Sequence, residues 1–240
     1  MRVAVHQPNY APWCGYFAKM RHSDVFVFLD DAQMPGGQSY VYRTQIRGPA
    51  KPMWLSIPSR FSLGAAILDV SFADTRWARK HVNTLRATYG RCPFFREVMS
   101  ILEPIYTEAR ERLAAFNERM IRALAEYLCL SCRFERSSEL RPNGEGDDRL
   151  VSIAQILRAD TYVSGEGGAK YQDPAKFGAA GILLEVRSYT PVPYRQMQGD
   201  FEPGLSILDA LFHLGRRTLN LLVYSEDHEA KTMGDHRGLR

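Results

Sequence analysis

Apolar and polar positions along the 240-residue chain fall into a strand, turn, helix, strand order from the first residues onward. Val3, Ala4 and Val5 read as a short buried strand that runs straight into His6-Gln7-Pro8-Asn9-Tyr10-Ala11-Pro12. Pro8 and Pro12 keep the chain from entering a helix at once, so His6, Gln7 and Asn9 stand on a stiffened turn. Trp13, Tyr16, Phe17 and Met20 then mark an amphipathic helix. Val25 to Leu29 form a second apolar strand, which ends in the pair Asp30-Asp31. Polar groups at strand C-termini are where open α/β sheets hold ligands.

Further along, residues 40–47 and 53–58 alternate as strands around a Gly/Pro turn, and 67–72 is a third short candidate. These segments predict a β-meander or strands added to the main sheet. A helix over 74–89 can start from Asp74 or Thr75, and helical runs over 94–109 and 110–128 form a hairpin or one bent helix. The α/β rhythm then returns: strand 132–136, helix 147–157, strand 161–163, glycine loop 164–168, short helix 174–179, strand 182–187 and a last helix over 206–222. The expected fold is α/β, an open, mostly parallel sheet with flanking helices and a helical segment inserted near the middle. It forms a single domain over 1–225, with a helical subdomain at about 74–128 and a disordered tail over 226–240.

Charge and composition narrow the partners. Thirty-one Lys and Arg against 27 acids give a net charge of +4, and the two signs are interleaved. That admits an anionic substrate but marks no nucleic-acid partner. No apolar run approaches the ~20 residues of a membrane span, and the N-terminus carries no secretory pattern. Four cysteines show no disulfide framework, which predicts a reduced, cytoplasmic setting. Cys129 and Cys132 form a C-x-x-C without the second pair that zinc requires, so their expected role is buried or incidental.

Several residues can carry chemistry. His6, with an unperturbed pKa near ~6.5, suits a general base or acid; its competing role is a structural hydrogen bond. Asp30 and Asp31 are expected to point to opposite faces of the sheet, where they orient a substrate, bind a metal or cap the next turn. No further ligands stand at a telling spacing, so no metal and no cofactor are expected. On the 74–89 helix, Trp77, His81 and Thr84 share a face with Lys80 at its edge, and Lys80 with His81 could hold an anion. The alternative is a boundary helix with a satisfied histidine. Ser164-Gly165-Glu166-Gly167-Gly168, followed by Lys170, could cradle an anion, or form a plain glycine turn. Asp209 and His213 lie at i, i+4 on an apolar helix, where Asp209 either orients the histidine or ties down a neighbouring loop.

Taken together, several segments resemble one family. They are the opening His6-Gln7-Pro8-Asn9-Tyr10 with Pro12-Trp13, Gly15-Tyr16-Phe17, Asp24 to Asp31 and Gln33, Trp54 to Pro58, Lys80-His81, Ser137 to Leu140, Tyr162 to Gly165, and Phe201 to Asp209. In order and content they closely resemble the WbqC-like proteins, over residues 3 to about 215. The resemblance implies a bacterial biosynthetic role, in surface polysaccharides or small molecules, and several such proteins carry glycine- or aminoacyl-transferase labels. The position of Cys14 is commonly aliphatic in that pattern, which argues against a cysteine nucleophile.

The expected function is therefore acyl or aminoacyl (glycyl included) transfer from an activated donor to a small amine or amino sugar. In it His6 is the base, Asp30 or Asp31 orients the acceptor, and the 164–170 loop holds an anionic part of the donor. Gln7, Asn9, Tyr10, Gln33, Lys80, His81, Ser164, Gly165, Lys170 and Asp209 are the candidate binding residues. The partners are a small-molecule substrate and, for delivery of the donor, a candidate carrier protein. The alternatives are a nucleotidyltransferase-like enzyme, although the second histidine of an HxGH motif is missing, and a non-catalytic small-molecule binding protein.

Overall fold

A computed structural model describes residues 1–109, 112–197 and 199–225. The residues of the expected tail, 226–240, lie outside the described ones. In chain order the strands are β1 (Arg2–His6), β2 (Val25–Phe28), β3 (Arg43–Ile46), β4 (Met53–Ser56), β5 (Ser59–Arg60), β6 (Ser71–Phe72), β7 (Arg133–Arg136), β8 (Thr161–Gly165) and β9 (Leu183–Arg187). The α-helices are α1 (Cys14–Arg21), α2 (Arg76–Tyr89), α3 (Phe95–Thr107), α4 (Leu113–Tyr127), α5 (Ser137–Leu140), α6 (Gly146–Ile156), α7 (Glu166–Ala169), α8 (Pro174–Ala179) and α9 (Ile207–Leu214).

Five strands make one sheet in the order β7-β2-β1-β8-β9, and every pairing in it is parallel. This is the open α/β architecture the sequence predicts, with α2 to α4 inserted between β6 and β7. Side-chain alternation divides the core between the two faces of the sheet. Val3 and Val5 of β1 and Val25 and Val27 of β2 pack with Ile153 of α6 and Phe177 of α8. Ala4, Phe26 and Phe28 point the other way, into the larger cluster with Phe17 of α1, Phe116 of α4 and Phe212 of α9. Parallel strands buried on both faces explain why β1 and β2 read as continuous apolar runs.

Three expectations need correction. Segments 40–47 and 53–58 join neither the main sheet nor a meander: β3 and β4 form a separate antiparallel pair, and β5 with β6 another. The strand expected over 67–72 is a 3₁₀ turn, Ile67–Asp69, followed by the two residues of β6. The last helix stops at Leu214, because Gly215 adopts φ 56°, ψ −135°, and Gly215–Leu221 continue as a 3₁₀ segment. Among the described residues no helix is long and apolar enough to cross a membrane.

Candidate functional site

The strand order sets the place. β1 pairs with β2 on one side and with β8 on the other, so the chain's connections diverge between β1 and β8. Loops leaving the C-terminal ends of such strands part from one another and open a crevice. A cavity of about 500 Å³ lies there, with His6 and Gln7 of the first strand end facing Ser164 and Gly165 of β8.

The turn after β1 is held firmly. Asn117 of α4, fully buried, donates from Nδ2 to Pro8 O (2.8 Å) and Val41 O (2.7 Å). Ala11 sits at φ 39°, and its carbonyl accepts Thr44 Oγ1 (2.9 Å) and Ser206 Oγ (2.7 Å). These buried donors fix a backbone conformation that alanine does not favour. Trp13 then lies across the start of α1 in space that Gly15 leaves open, since a Cβ there would come within 2.5 Å of the indole. Trp13 is 40% exposed at the cavity wall and meets Tyr189 edge-on at 5.2 Å.

His6 Nδ1 lies 3.1 Å from Gln7 O. A carbonyl only accepts, so this nitrogen carries the proton and Nε2 keeps the lone pair. The Tyr16 hydroxyl donates to the same carbonyl at 3.1 Å, and its ring stands 4.7 Å from the imidazole. Burial, then the charge of Lys19, lowers the His6 pKa to about 4, so the ring is neutral at pH 7. Lys19 Nζ donates to Val5 O at 3.0 Å and lies 5.9 Å from the centroid of the Tyr162 ring. Burial lowers the Lys19 pKa to about 8. Across the cavity Arg187 pairs with Glu185, which also holds Arg2. Ser164 is buried, and its hydroxyl donates to Gly165 O at 3.2 Å.

Of the candidate site residues, His6, Gln7, Ser164 and Gly165 meet on this cavity, with Glu166, Gly167 and Gly168 of the expected glycine loop. The others are placed elsewhere. Asp30 is buried and accepts Ser138 N (3.0 Å) and Ser138 Oγ (2.6 Å), while Asp31 pairs with Arg149 of α6. Neither carboxylate lines the cavity. The Tyr10 hydroxyl lies 2.8 Å from His81 Nδ1 and 2.6 Å from the Tyr106 hydroxyl, within an aromatic cluster around Trp77. Burial lowers the His81 pKa to about 4. Lys80 is exposed while His81 is buried, so the two present no common anion site. Asn9 is half-buried, Gln33 and Lys170 are exposed, and none of the three lines the cavity. The segment expected as a glycine loop splits: Ser164 and Gly165 finish β8, and Glu166–Ala169 form the single turn of α7.

Asp209 has no exposed surface and accepts Tyr89 Oη (2.8 Å), Tyr194 Oη (2.6 Å) and Gln196 Nε2 (3.0 Å). His213 donates from Nδ1 to Asp209 O (2.7 Å), and its Nε2 accepts Met197 N (3.0 Å). This cluster ties the 194–197 segment to α9.

Reasoning from sequence missed Tyr16, Lys19, Tyr162 and Arg187. Lys19 had a legible signal, as the one cation inside the apolar stretch from Tyr16 to Met20. Arg187 had none, because only the strand order brings β9 near β1.

No solved structure matches the chain. The uncharacterized protein Rv1507c of Mycobacterium tuberculosis (strain ATCC 25618 / H37Rv) is 31% identical over 227 residues, covering 93% of this chain and 98% of that protein. The WbqC-like protein family matches residues 7–221, the span that holds the turn after β1 and β8, and the chain belongs to that family.

Proposed function

We propose that the chain is a biosynthetic transferase that moves an acyl or aminoacyl group, glycyl included, from an activated donor to a small amine or amino sugar in the β1–β8 crevice. Membership of the WbqC-like family leans toward an enzyme. The observation that carries the reading is His6: a neutral imidazole on the cavity wall, with Nδ1–H committed to Gln7 O and Nε2 left as an acceptor. A base with a pKa of about 4 does not strip a free alkylammonium, so the acceptor enters as a neutral amine. Its nitrogen attacks the donor carbonyl and becomes an acidic ammonium, from which His6 Nε2 takes the proton. The C–N bond forms, the bond from the carbonyl carbon to the leaving group breaks, and His6 passes the proton to the leaving group. In this reading Asp30 and Asp31 anchor the segment after β2 through Ser138 and Arg149.

The test is thiol release from acetyl- and glycyl-pantetheine thioesters with glucosamine as acceptor. His6→Asn is expected to lower kcat by about 10²–10⁴-fold. Unchanged turnover in that variant defeats the general-base assignment. No thiol release from any acyl or aminoacyl thioester defeats the transferase reading.

A further inference from the structure

We propose that Lys19 is the docking point for an oxyanion, a carboxylate or a phosphate group, carried by the ligand of the β1–β8 cavity. The proposal rests on taking this cavity as the substrate site and names the charged part of what it holds.

An ammonium has three N–H donors. Lys19 spends one on Val5 O, and the Tyr162 ring flanks the group at 5.9 Å. Two other partly buried cations have carboxylates: Arg149 pairs with Asp31, Arg136 with Glu118 and Glu139. Among the described residues no carboxylate forms an ion pair with Lys19. A buried cation without a counter-ion is costly, which is the cause of its depressed pKa. Glu166, the acid on this lining, accepts the Ser188 hydroxyl and forms no ion pair with Lys19. Lys19 thus stands without a carboxylate partner among aromatic walls, in a space of small-molecule size.

Docking has a consequence for the base. The Lys19 charge is one of the causes that hold His6 down, so an anion beside Lys19 offsets it and raises His6 toward its ordinary range. The ligand's own charge strengthens the base that acts on it. The titratable and charged groups sharing the wall with Lys19 are His6, Tyr16, Tyr162, Tyr189, Tyr224, Arg187 and Glu166. Burial moves His6 to about 4 and pushes Tyr16 and Tyr162 above the usual tyrosine range.

Trace acylation of lysines, mapped by peptide mass spectrometry at pH 8, tests the docking point on the full chain. Pyrophosphate, inorganic phosphate and glycolate at millimolar concentration are the probes; the first two against the third separate phosphate from carboxylate. At least one is expected to slow modification of Lys19 saturably, by about tenfold, while Lys51, Lys80, Lys170 and Lys176 keep their rates. Fluorescence of Trp13 should follow the same curve, and the response should weaken as pH rises above about 8 and Lys19 loses its charge. Lys19→Met should abolish the fluorescence titration. The proposal is overturned if no probe protects Lys19, if all the lysines are protected alike, or if Lys19→Met titrates with an unchanged midpoint. No turnover enters this measurement, so its failure is separable from failure of the transferase reading.

Discussion

Asp209→Asn removes the charge from a carboxylate with no exposed surface and three donors aimed at it. Tyr194 and Gln196 share Oδ1, while Tyr89 donates to Oδ2. The Tyr89 oxygen also accepts Arg47 N at 2.9 Å, which leaves its single proton to Asp209. Asparagine keeps one acceptor oxygen and turns an NH₂ toward a donor at the other position. The better orientation keeps two bonds at neutral strength and loses the third. With charged hydrogen bonds worth about 1.5–3 kcal/mol and an orphaned buried donor costing about 1–3, the variant should lose about 2–4 kcal/mol. Asp209→Ala orphans all three donors and should lose more than about 4 kcal/mol, a large share of an ordinary stability margin. For a chain of this size a loss of 3 kcal/mol lowers Tm by roughly 6–12 °C. Urea denaturation followed by circular dichroism and tryptophan fluorescence measures the difference. An Asp209→Asn variant within about 0.5 kcal/mol of the parent would refute the reasoning. So would a variant of parental stability that has lost activity, since that outcome would make Asp209 a functional group.

Two further predictions concern strain and buried charge. Lys19→Met should stabilise the fold by about 1–3 kcal/mol at pH 7, because it removes a buried cation whose pKa falls from 10.5 to about 8 on folding. The unfolded chain holds this proton up to pH 10.5 while the native state gives it up near 8, so the parent gains stability through that window and the difference between the two proteins should shrink. Thermal melts across pH 7–10 check this, and an equal or lower Tm for Lys19→Met at pH 7 counts against it. Gly215→Ala should cost about 2–4 kcal/mol by denaturant titration, since φ is 56° and a Cβ would lie 2.5 Å from Phe94 Cδ1. A loss below about 0.5 kcal/mol would show that the α9 terminus relaxes freely.

The elements around the site were legible in the sequence because their signals are local. Val3 to Val5 and Val25 to Leu29 are too apolar to face water on either side, so they had to be interior strands of a covered sheet. Pro8 and Pro12 determined that a stiff polar turn, and not a helix, follows the first strand. His6, Gln7 and Ser164 could be marked because a residue's place at a strand end needs no knowledge of its neighbours. Partnership was different. Asp30, Tyr10, His81 and Asp209 are polar groups in apolar surroundings, and sequence alone does not say whether their partners are ligands or other side chains. The fold supplies side chains for all four: Ser138, Tyr106 with the Tyr10–His81 pair, and Tyr89, Tyr194 and Gln196. The order β7-β2-β1-β8-β9, set by long-range packing, decided that Arg187 shares a wall with Lys19 and that the aspartates after β2 do not. The sequence by itself determined which segments are strands and where polar residues leave them. Only the tertiary structure decided which polar groups satisfy one another and which, like Lys19, are left facing a cavity, because hydrogen bonds and ion pairs depend on distances between residues far apart in the chain.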